Sequence, residues 1–230
     1  LWLDQVFMWE TISLKEISIL CKKYNSVLIH ISTDYVFDGN KTLPYEESDE
    51  TSPVNVYGKS KLLGEKLIQK FTDKFVIFRV SWVYSSFGKN FLNTIIEKSK
   101  TNSKLNVVND QFGGPTSTIQ IVKVLKIFCE KISNDEKPWG IYHLSGEPHV
   151  SWYKFAEDII SIATNYNLTK DTRIHPISSN DFESFALRPK YSALSNAKIK
   201  SVTKNISYDY EEYLHQIIID KAKQGLNNNE

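Results

Sequence analysis

The chain is poor in cysteine and in long apolar runs, and each shortage excludes a class of protein. Two cysteines, Cys21 and Cys129, are too few for a disulfide framework. Both fall in helical patterns, so we expect them to be buried core residues. The low cysteine content suits a reducing compartment, and we expect a cytoplasmic protein. No apolar run reaches the roughly 18 residues that a membrane span needs. With a net charge of +1 and lysines dispersed among acidic residues, we expect neither nucleic-acid nor membrane partners.

Glycine is also scarce where a nucleotide-binding protein would concentrate it. The nine glycines are dispersed, and none forms a glycine-rich turn between a strand and a helix. Such a turn would place backbone amides against a dinucleotide pyrophosphate. No metal site is predicted either.

Tyr57 and Lys61 are the residues that most strongly suggest chemistry, because positions i and i+4 share one face of a helix. A neighbouring ammonium lowers the pKa of a phenol from its usual value of about 10, which makes the phenol a proton donor suited to carbonyl reduction. In a chain with 12 tyrosines and 28 basic residues, about one such pair arises by chance. Tyr166 and Lys170 form a second pair, which we interpret as a helix end with a solvated lysine.

The segments around Tyr57 predict a βαβ unit. Residues 27–31 form a β-branched apolar run typical of a buried strand, and Ser32, Thr33 and Asp34 follow it directly. Polar side chains at the carboxyl end of a parallel strand lie where open α/β sheets bind ligands. Local turn hydrogen bonds are the alternative interpretation. An amphipathic helix after Tyr57 and an apolar strand over 75–80 complete the unit.

Periodicity and capping residues predict the remaining elements. They are a helix over the first 24 residues, a helix over 91–98, a strand over 105–108, a helix around 119–128, a strand over 140–144, a helix capped by Ser151 and running to about 166, and a final helix over about 209–224. Gly225 is placed to end that last helix, and a polar tail over 227–230 follows.

Several segments resemble, in order, one known family. They are residues 31–39, 53–65, 79–84, 88–91, 110–116, 142–146, 151–156 and 188–189. Together they resemble the extended short-chain dehydrogenase/reductases, and within them the dTDP-4-dehydrorhamnose reductases. The resemblance implies an α/β fold, a Rossmann-type doubly wound parallel sheet lacking its N-terminal strands, with a smaller interleaved substrate-binding lobe. Residues 1–145 would be mostly nucleotide-binding domain and residues 146–230 mostly substrate-binding lobe.

The resemblance implies roles for three catalytic residues. Tyr57 would protonate the C4 carbonyl oxygen of a nucleotide-activated 4-keto-6-deoxy sugar, and Thr33 would hydrogen-bond the same oxygen. Lys61 would lower the pKa of Tyr57 and bind the nicotinamide ribose. NADPH, or NADH, would be the cofactor, bound by Ser32, Tyr57 and Lys61.

The same resemblance places other residues near the nucleotide-sugar substrate. They are Asp34, Tyr35, Trp82, Asn90, Gln111 and Arg188. Structural alternatives exist for three of them. Trp82 would cap the core beyond a buried strand, Asn90 would cap the following helix, and Arg188 would belong to a turn with Pro189.

The chain departs from the family at its N-terminal end, where it begins at Leu1 and has no glycine-rich turn. We expect an N-terminally truncated chain, either a piece of a longer protein or a product that has lost its cofactor-binding half. Cofactor affinity and turnover should be impaired, and the strand at residue 27 should form an exposed sheet edge.

A second function class remains open from the sequence. Eukaryotic relatives of this fold act as the regulatory β subunit of methionine adenosyltransferase, a binding role in which Tyr57 and Lys61 could persist. The partner would then be the catalytic subunit of that enzyme, whereas a reductase could form a homodimer. An inactive remnant is a third possibility. Residues 87–91 and 110–116 are closer to the reductases and favour the enzyme.

Overall fold

The computed structural model describes residues 2–182 and 187–227, with side chains described from residue 11 to 182 and from 187 to 223. Its helices are α1 (Trp2–Lys23), α2 (Val56–Phe71), α3 (Phe91–Ser99), α4 (Thr118–Ser133), α5 (Trp152–Asn165), α6 (Ala197–Val202) and α7 (Tyr210–Asn227). Its strands are β1 (Leu28–Thr33), β2 (Phe75–Val80), β3 (Val83–Tyr84), β4 (Lys104–Val108), β5 (Phe112–Gly113), β6 (Thr116–Ser117), β7 (Gly140–Leu144), β8 (Val150–Ser151) and β9 (Arg173–Ile177). No helix among these residues is long and apolar enough to cross a membrane.

Most predicted elements are confirmed within a residue or two, but the end of the last helix is wrong. Helix α7 continues through Gly225 to Asn227. A glycine inside a helix costs only about 1 kcal/mol relative to alanine, so it does not by itself end one. The predicted polar tail lies outside the described residues beyond position 227.

The predicted βαβ unit is confirmed. Strands β1, β2 and β7 form a parallel sheet in that order, with Leu28 opposite Phe75 and Val76 opposite Gly140. Helix α2 connects β1 to β2. All three carboxyl ends therefore lie at one edge of the sheet, the edge at which such sheets bind ligands.

Helices cover both faces of this sheet, as a doubly wound arrangement requires. Ile77 packs with Leu14 of α1 and Ile68 of α2. The next residue, Phe78, contacts Phe128 of α4, with ring centroids 4.8 Å apart. Because successive strand residues point to opposite faces, the two contacts lie on opposite sides of the sheet.

The two outer strands of this sheet are exposed to different degrees. β1 pairs only with β2 among the described strands, and Ile31 is 37% exposed. The expectation of an exposed sheet edge at this strand is therefore confirmed, whereas the prediction of a buried strand is wrong. The outer edge of β7 is closed by side chains: Glu47 Oε1 accepts from the His143 N–H, and Lys198 donates to the Ile141 carbonyl. Charged side chains at such positions discourage pairing with another chain.

The chain divides into two compact units. The first comprises Leu1–Ser81, Val124–Leu144 and Phe185–Asn205, and contains the three-stranded sheet. The second comprises Trp82–Lys123, Ser145–Ser184 and Ile206–Glu230. It contains the two-stranded pairs β3–β6, β4–β9 and β5–β8 around an apolar core from α3, α5 and α7.

The prediction of two buried cysteines is wrong. Cys21 is half-buried and Cys129 is exposed. Both lie in amphipathic helices, where a shift of one position around the axis moves a side chain from the core to the boundary or the solvent face.

A buried ion pair ties α2 to the sheet. The Arg79 guanidinium of β2 donates through Nη2 to Glu65 Oε2 of α2 at 2.7 Å and through Nε to Oε1 at 3.1 Å. Ser32 of β1 donates to Oε1 at 2.5 Å. Glu65 is fully buried and Arg79 is 3% exposed.

His143 of β7 extends this network as a neutral ring. Its Nδ1 lies 2.9 Å from the Tyr45 carbonyl, which can only accept, so Nδ1 holds the proton. Nε2 lies 3.4 Å from Arg79 Nη1, which can only donate. Burial, reinforced by the positive charge of Arg79, lowers the pKa of His143 to about 3.

We predict that Arg79→Met strongly destabilises the fold. The substitution leaves the Glu65 carboxylate buried without its cation, and breaking a buried pair in this way costs about 3–5 kcal/mol. The free energy of unfolding from urea titration at pH 7 measures the loss.

The matched control for Arg79→Met is Lys100→Met. It breaks the Lys100–Glu97 pair, whose side chains are 49% and 61% exposed. We expect a loss of at most about 1 kcal/mol there. Equal losses in the two variants would contradict a structural role for the buried pair.

Candidate active site

The carboxyl end of β1 turns sharply into a short 3-10 helix, Asp34–Val36. Thr33 caps this turn: its Oγ1 accepts from the Tyr35 N–H at 3.2 Å and donates to Asp34 Oδ1 at 3.0 Å. The local hydrogen bonds that the sequence offered as an alternative to a site are therefore present. They order the polar residues at the strand end but leave their chemistry open.

Helix α2 begins directly against this turn because residue 58 is glycine. A Cβ at Gly58 would lie 2.1 Å from the Tyr35 carbonyl oxygen, closer than any side chain permits. Asn55 caps the helix by accepting from the Gly58 N–H at 2.8 Å. The first turn of α2, which contains Tyr57, is thus fixed against the end of β1.

Tyr57 and Lys61 both lie near this strand end. The Tyr57 ring is 53% exposed and contacts the edge of the Tyr35 ring at a centroid distance of 5.9 Å. Lys61 Nζ donates to the Ile31 carbonyl at 2.7 Å and lies 3.4 Å from His30 Nε2. Tyr57 thus contacts the residue two positions after Thr33, and Lys61 contacts the residue two positions before it.

The carboxyl group of Asp34 has a strongly raised pKa. It is 2% exposed, and burial raises its pKa from an ordinary value near 3.8 to about 7. Hydrogen bonds from Ser192 and Thr33 oppose the shift. Its Oδ2 is buried without a hydrogen-bond partner among the described residues. An uncompensated oxygen of this kind favours the protonated acid.

Tyr35 remains protonated at neutral pH. Burial, together with the negative charge of Asp34, raises the pKa of its phenol to about 12. The positive charge of Arg188 acts in the opposite direction. Arg188 itself is exposed, beside the buried Pro189.

Ser32 faces the interior of the sheet. Its hydroxyl is 2% exposed and donates to Glu65, so the side chain is committed to the buried ion pair. Any contact of Ser32 with a cofactor would therefore come from its backbone. A cofactor role for Ser32 stays a prediction.

Trp82, Asn90 and Gln111 belong to the second unit. Trp82 has a positive φ of 44° and stacks on Trp152 with a centroid distance of 3.5 Å. Asn90 caps α3 by accepting from the Asn93 N–H at 3.1 Å, as the structural alternative expected. Gln111 is half-buried. Substrate contacts by these three residues stay predictions.

The second tyrosine–lysine pair is not on a helix. α5 ends at Asn165, so Tyr166 is its C-cap and Lys170 lies five residues beyond the end, exposed to solvent. The interpretation of this pair as a helix end with a solvated lysine is confirmed. It provides a natural control for Tyr57 and Lys61.

Sequence reasoning missed Ser192. Its side chain is buried and hydrogen-bonds Asp34 from a segment more than 150 positions away. Nothing in the local sequence signals the contact, because it depends on long-range contacts of this segment such as the bridge between Tyr45 and Leu194. Among the residues with described side chains, no group of three or more potential metal ligands is found.

Comparison with known proteins identifies relatives along most of the chain. The family described as RmlD substrate binding domain matches residues 7–223. A dTDP-4-dehydrorhamnose reductase of Aggregatibacter actinomycetemcomitans is 40% identical over 197 residues, 85% of this chain and 67% of the relative. The chain spans 59–67% of the length of the first curated relatives it matches.

Solved structures agree with the sequence comparison. A dTDP-4-dehydrorhamnose reductase from Clostridium acetobutylicum superposes with a TM-score of 0.85 at 33% identity, covering 94% of this chain and 74% of that one. The enzyme of that name from Bacillus anthracis, in complex with NADP, gives a TM-score of 0.79 at 32% identity, with 91% and 71% covered. These matches confirm the expected α/β Rossmann-type fold.

We predict that Asp34→Asn changes how stability depends on pH. Because the folded pKa of Asp34 is near 7 and the unfolded value is near 3.8, the folded state binds more protons between them. The stability of the unsubstituted chain should therefore fall as pH rises from about 4 to about 7, by up to about 4 kcal/mol from this group.

The difference in unfolding free energy between the two proteins, followed from pH 4 to 8, measures this effect. His143 has the opposite dependence, since its lowered pKa removes stability as pH falls below about 6.5. His143 is common to both proteins, so its contribution cancels in the difference. A constant difference across the range would contradict the raised pKa.

Proposed function

Since the chain belongs to the RmlD substrate binding domain family, we propose that it acts in the NADPH-dependent reduction of the C4 ketone of a dTDP-4-keto-6-deoxy sugar. The observation that carries this proposal is the approach of Gly58 to the Tyr35 carbonyl, because it fixes the first turn of α2, which contains Tyr57, against the end of β1. The relatives named as reductases, and one solved in complex with NADP, support the same activity.

Tyr57 is the proposed proton donor. Its ring is half exposed at the end of β1, so a ketone oxygen can reach the phenol from solvent. As the C4 carbonyl becomes an alkoxide, the Tyr57 O–H donates its proton to that oxygen. The Lys61 ammonium stabilises the resulting phenolate by its positive charge.

The chain fits the nicotinamide end of the cofactor. When bound, NADPH supplies the hydride that reduces C4. The Lys61 ammonium lies over the carboxyl end of β1 and can donate to ribose hydroxyls there. The nine glycines include no turn suited to the pyrophosphate, so the residues present fit only the nicotinamide half of NADPH.

Tyr35, Trp82, Asn90, Gln111 and Arg188 are the proposed substrate-binding residues. Asp34, which the resemblance also placed near the substrate, is buried, so we assign it no direct contact with the sugar. Arg188 suits the diphosphate of a nucleotide sugar, because a guanidinium binds phosphate oxygens through two parallel hydrogen bonds. Its position beside Tyr35 supports this role, since its charge influences the Tyr35 phenol. The relatives reported above give no support to the alternative of a methionine adenosyltransferase regulatory subunit.

We predict that Tyr57→Phe lowers kcat by about 10²- to 10⁴-fold, the usual contribution of a positioned general acid. Tyr166→Phe, which removes the phenol of the second tyrosine–lysine pair, should leave kcat unchanged. Loss of nicotinamide absorbance with NADPH and dTDP-4-keto-6-deoxyglucose or its epimer measures both. Because the relatives are longer, the complete gene product is assayed beside the 230-residue chain. Equal rates in the two variants, or no turnover by the complete product, would sink the proposal.

We predict that Lys61→Met weakens NADPH binding as well as turnover, because the ammonium serves both the cofactor ribose and the tyrosine. The dissociation constant, from quenching of tryptophan fluorescence, should rise about 10-fold or more, as expected for the loss of a charge-assisted hydrogen bond. Lys170→Met is the control, and its affinity should match that of the unsubstituted protein. Unchanged affinity in Lys61→Met would remove the cofactor role and leave only a catalytic one.

A further inference from the structure

The Thr33 hydroxyl can donate one hydrogen bond, and two acceptors compete for it. In the structure Thr33 donates to Asp34 Oδ1 at 3.0 Å. Its oxygen also accepts from the Tyr35 N–H, which orients the hydroxyl within the turn. In the function proposed above, Thr33 must instead donate to a ketone oxygen. A carboxylate and a ketone can both only accept, so Thr33 cannot serve both at once.

We propose that Asp34 is a positioning residue that sets the direction of the Thr33 hydrogen bond, and this inference rests on the proposed function. When the Asp34 carboxyl is protonated, it donates to Thr33, and Thr33 donates to the ketone. When Asp34 is ionised, it accepts the hydrogen bond that Thr33 donates, and the hydroxyl is no longer available to the ketone. The Asp34 proton is held throughout and is not transferred to the substrate.

The surroundings of Asp34 favour the protonated arrangement. The carboxyl is 2% exposed, and its Oδ2 is buried without a hydrogen-bond partner among the described residues. Burial is the largest influence on its pKa, which lies at about 7. Both protonation states are therefore accessible near neutral pH, and a small change in the surroundings shifts the balance between them.

The groups that face Asp34 come from three parts of the first unit. β1 and its turn contribute Thr33 and the Tyr35 phenol, which stays neutral. The segment after residue 187 contributes the Ser192 hydroxyl, whose hydrogen bond lowers the Asp34 pKa, and Arg188, whose charge acts on Tyr35. Helix α2 packs on the turn, where its Tyr57 ring contacts the Tyr35 ring.

Two substitutions separate this role from a purely structural one. Asp34→Asn mimics the protonated acid, because its amide can donate to Thr33 at every pH. Ser192→Ala removes a hydrogen bond that stabilises the ionised form, so it should raise the Asp34 pKa. The two variants therefore have different expected effects, although both alter buried side chains: Asp34→Asn abolishes the pH transition and Ser192→Ala moves it to higher pH.

The first measurement needs no turnover. Carbon-13 NMR of the chain labelled at the aspartate carboxyl carbons should show one resonance titrating near pH 7. That resonance should be missing from Asp34→Asn and should titrate at higher pH in Ser192→Ala. Titration of every aspartate below about pH 5 would overturn the proposal. Circular dichroism shows whether each variant is folded; if Asp34→Asn does not fold, Ser192→Ala alone tests the shift.

The second measurement tests the consequence for reduction in the complete gene product. The kcat of the unsubstituted protein should fall as pH rises through about 7, where Asp34 ionises. The fall should move to higher pH in Ser192→Ala and vanish in Asp34→Asn. Identical pH profiles in the three proteins would overturn the positioning role. Absence of turnover at every pH would overturn the proposed function, while the NMR titration would still report on Asp34.

Discussion

The Glu65–Arg79 ion pair is the interaction on which the position of the site depends. It joins α2 to β2, and its neighbours extend it to β1 through Ser32 and to β7 through His143. All three strands of the sheet are thereby fixed to the helix that contains Tyr57. Eight residues separate Tyr57 from Glu65, about 12 Å along a helix. The ion pair fixes one part of α2 and the contact at Gly58 fixes its first turn, so the helix cannot slide or tilt without breaking one of them.

Two buried carboxyl groups of the first unit differ in how well their surroundings compensate a negative charge. The difference indicates which of them has a structural role and which can change its protonation state. Glu65 meets a guanidinium and a hydroxyl, so its charge is compensated within the core. Asp34 meets hydroxyls and a backbone turn but has one oxygen without a partner among the described residues, and its pKa rises to about 7. A compensated charge stabilises one conformation, whereas a poorly compensated one changes its protonation state near neutral pH. The acid with the less favourable surroundings is the one beside Thr33.

Much of the fold could be predicted because its signals are local. Apolar periodicity marked the helices, and Ser151 and Asn90 cap α5 and α3 as their sequence positions suggested. The rest depends on contacts between distant positions. Pairing of Glu65 with Arg79 and of Asp34 with Ser192 leaves no periodic trace in the sequence. The exposure of Cys129 and of Ile31 likewise depends on which neighbours cover a helix or a strand, which a pattern of apolar residues cannot specify.

The candidate site was predictable for a different reason, since its residue types are constrained by chemistry and by space together. A phenol and an ammonium at i and i+4 occur by chance, and the chain contains a second such pair at Tyr166. What distinguishes the pair at Tyr57 is the glycine that follows it. A methyl group at residue 58 would collide with the Tyr35 carbonyl and move the first turn of α2 away from β1. The absence of a side chain at residue 58 therefore sets how closely the first turn of α2 approaches the end of β1. The glycine beside Tyr57 is therefore part of the geometry of the candidate site, because no other residue lets these two elements approach so closely.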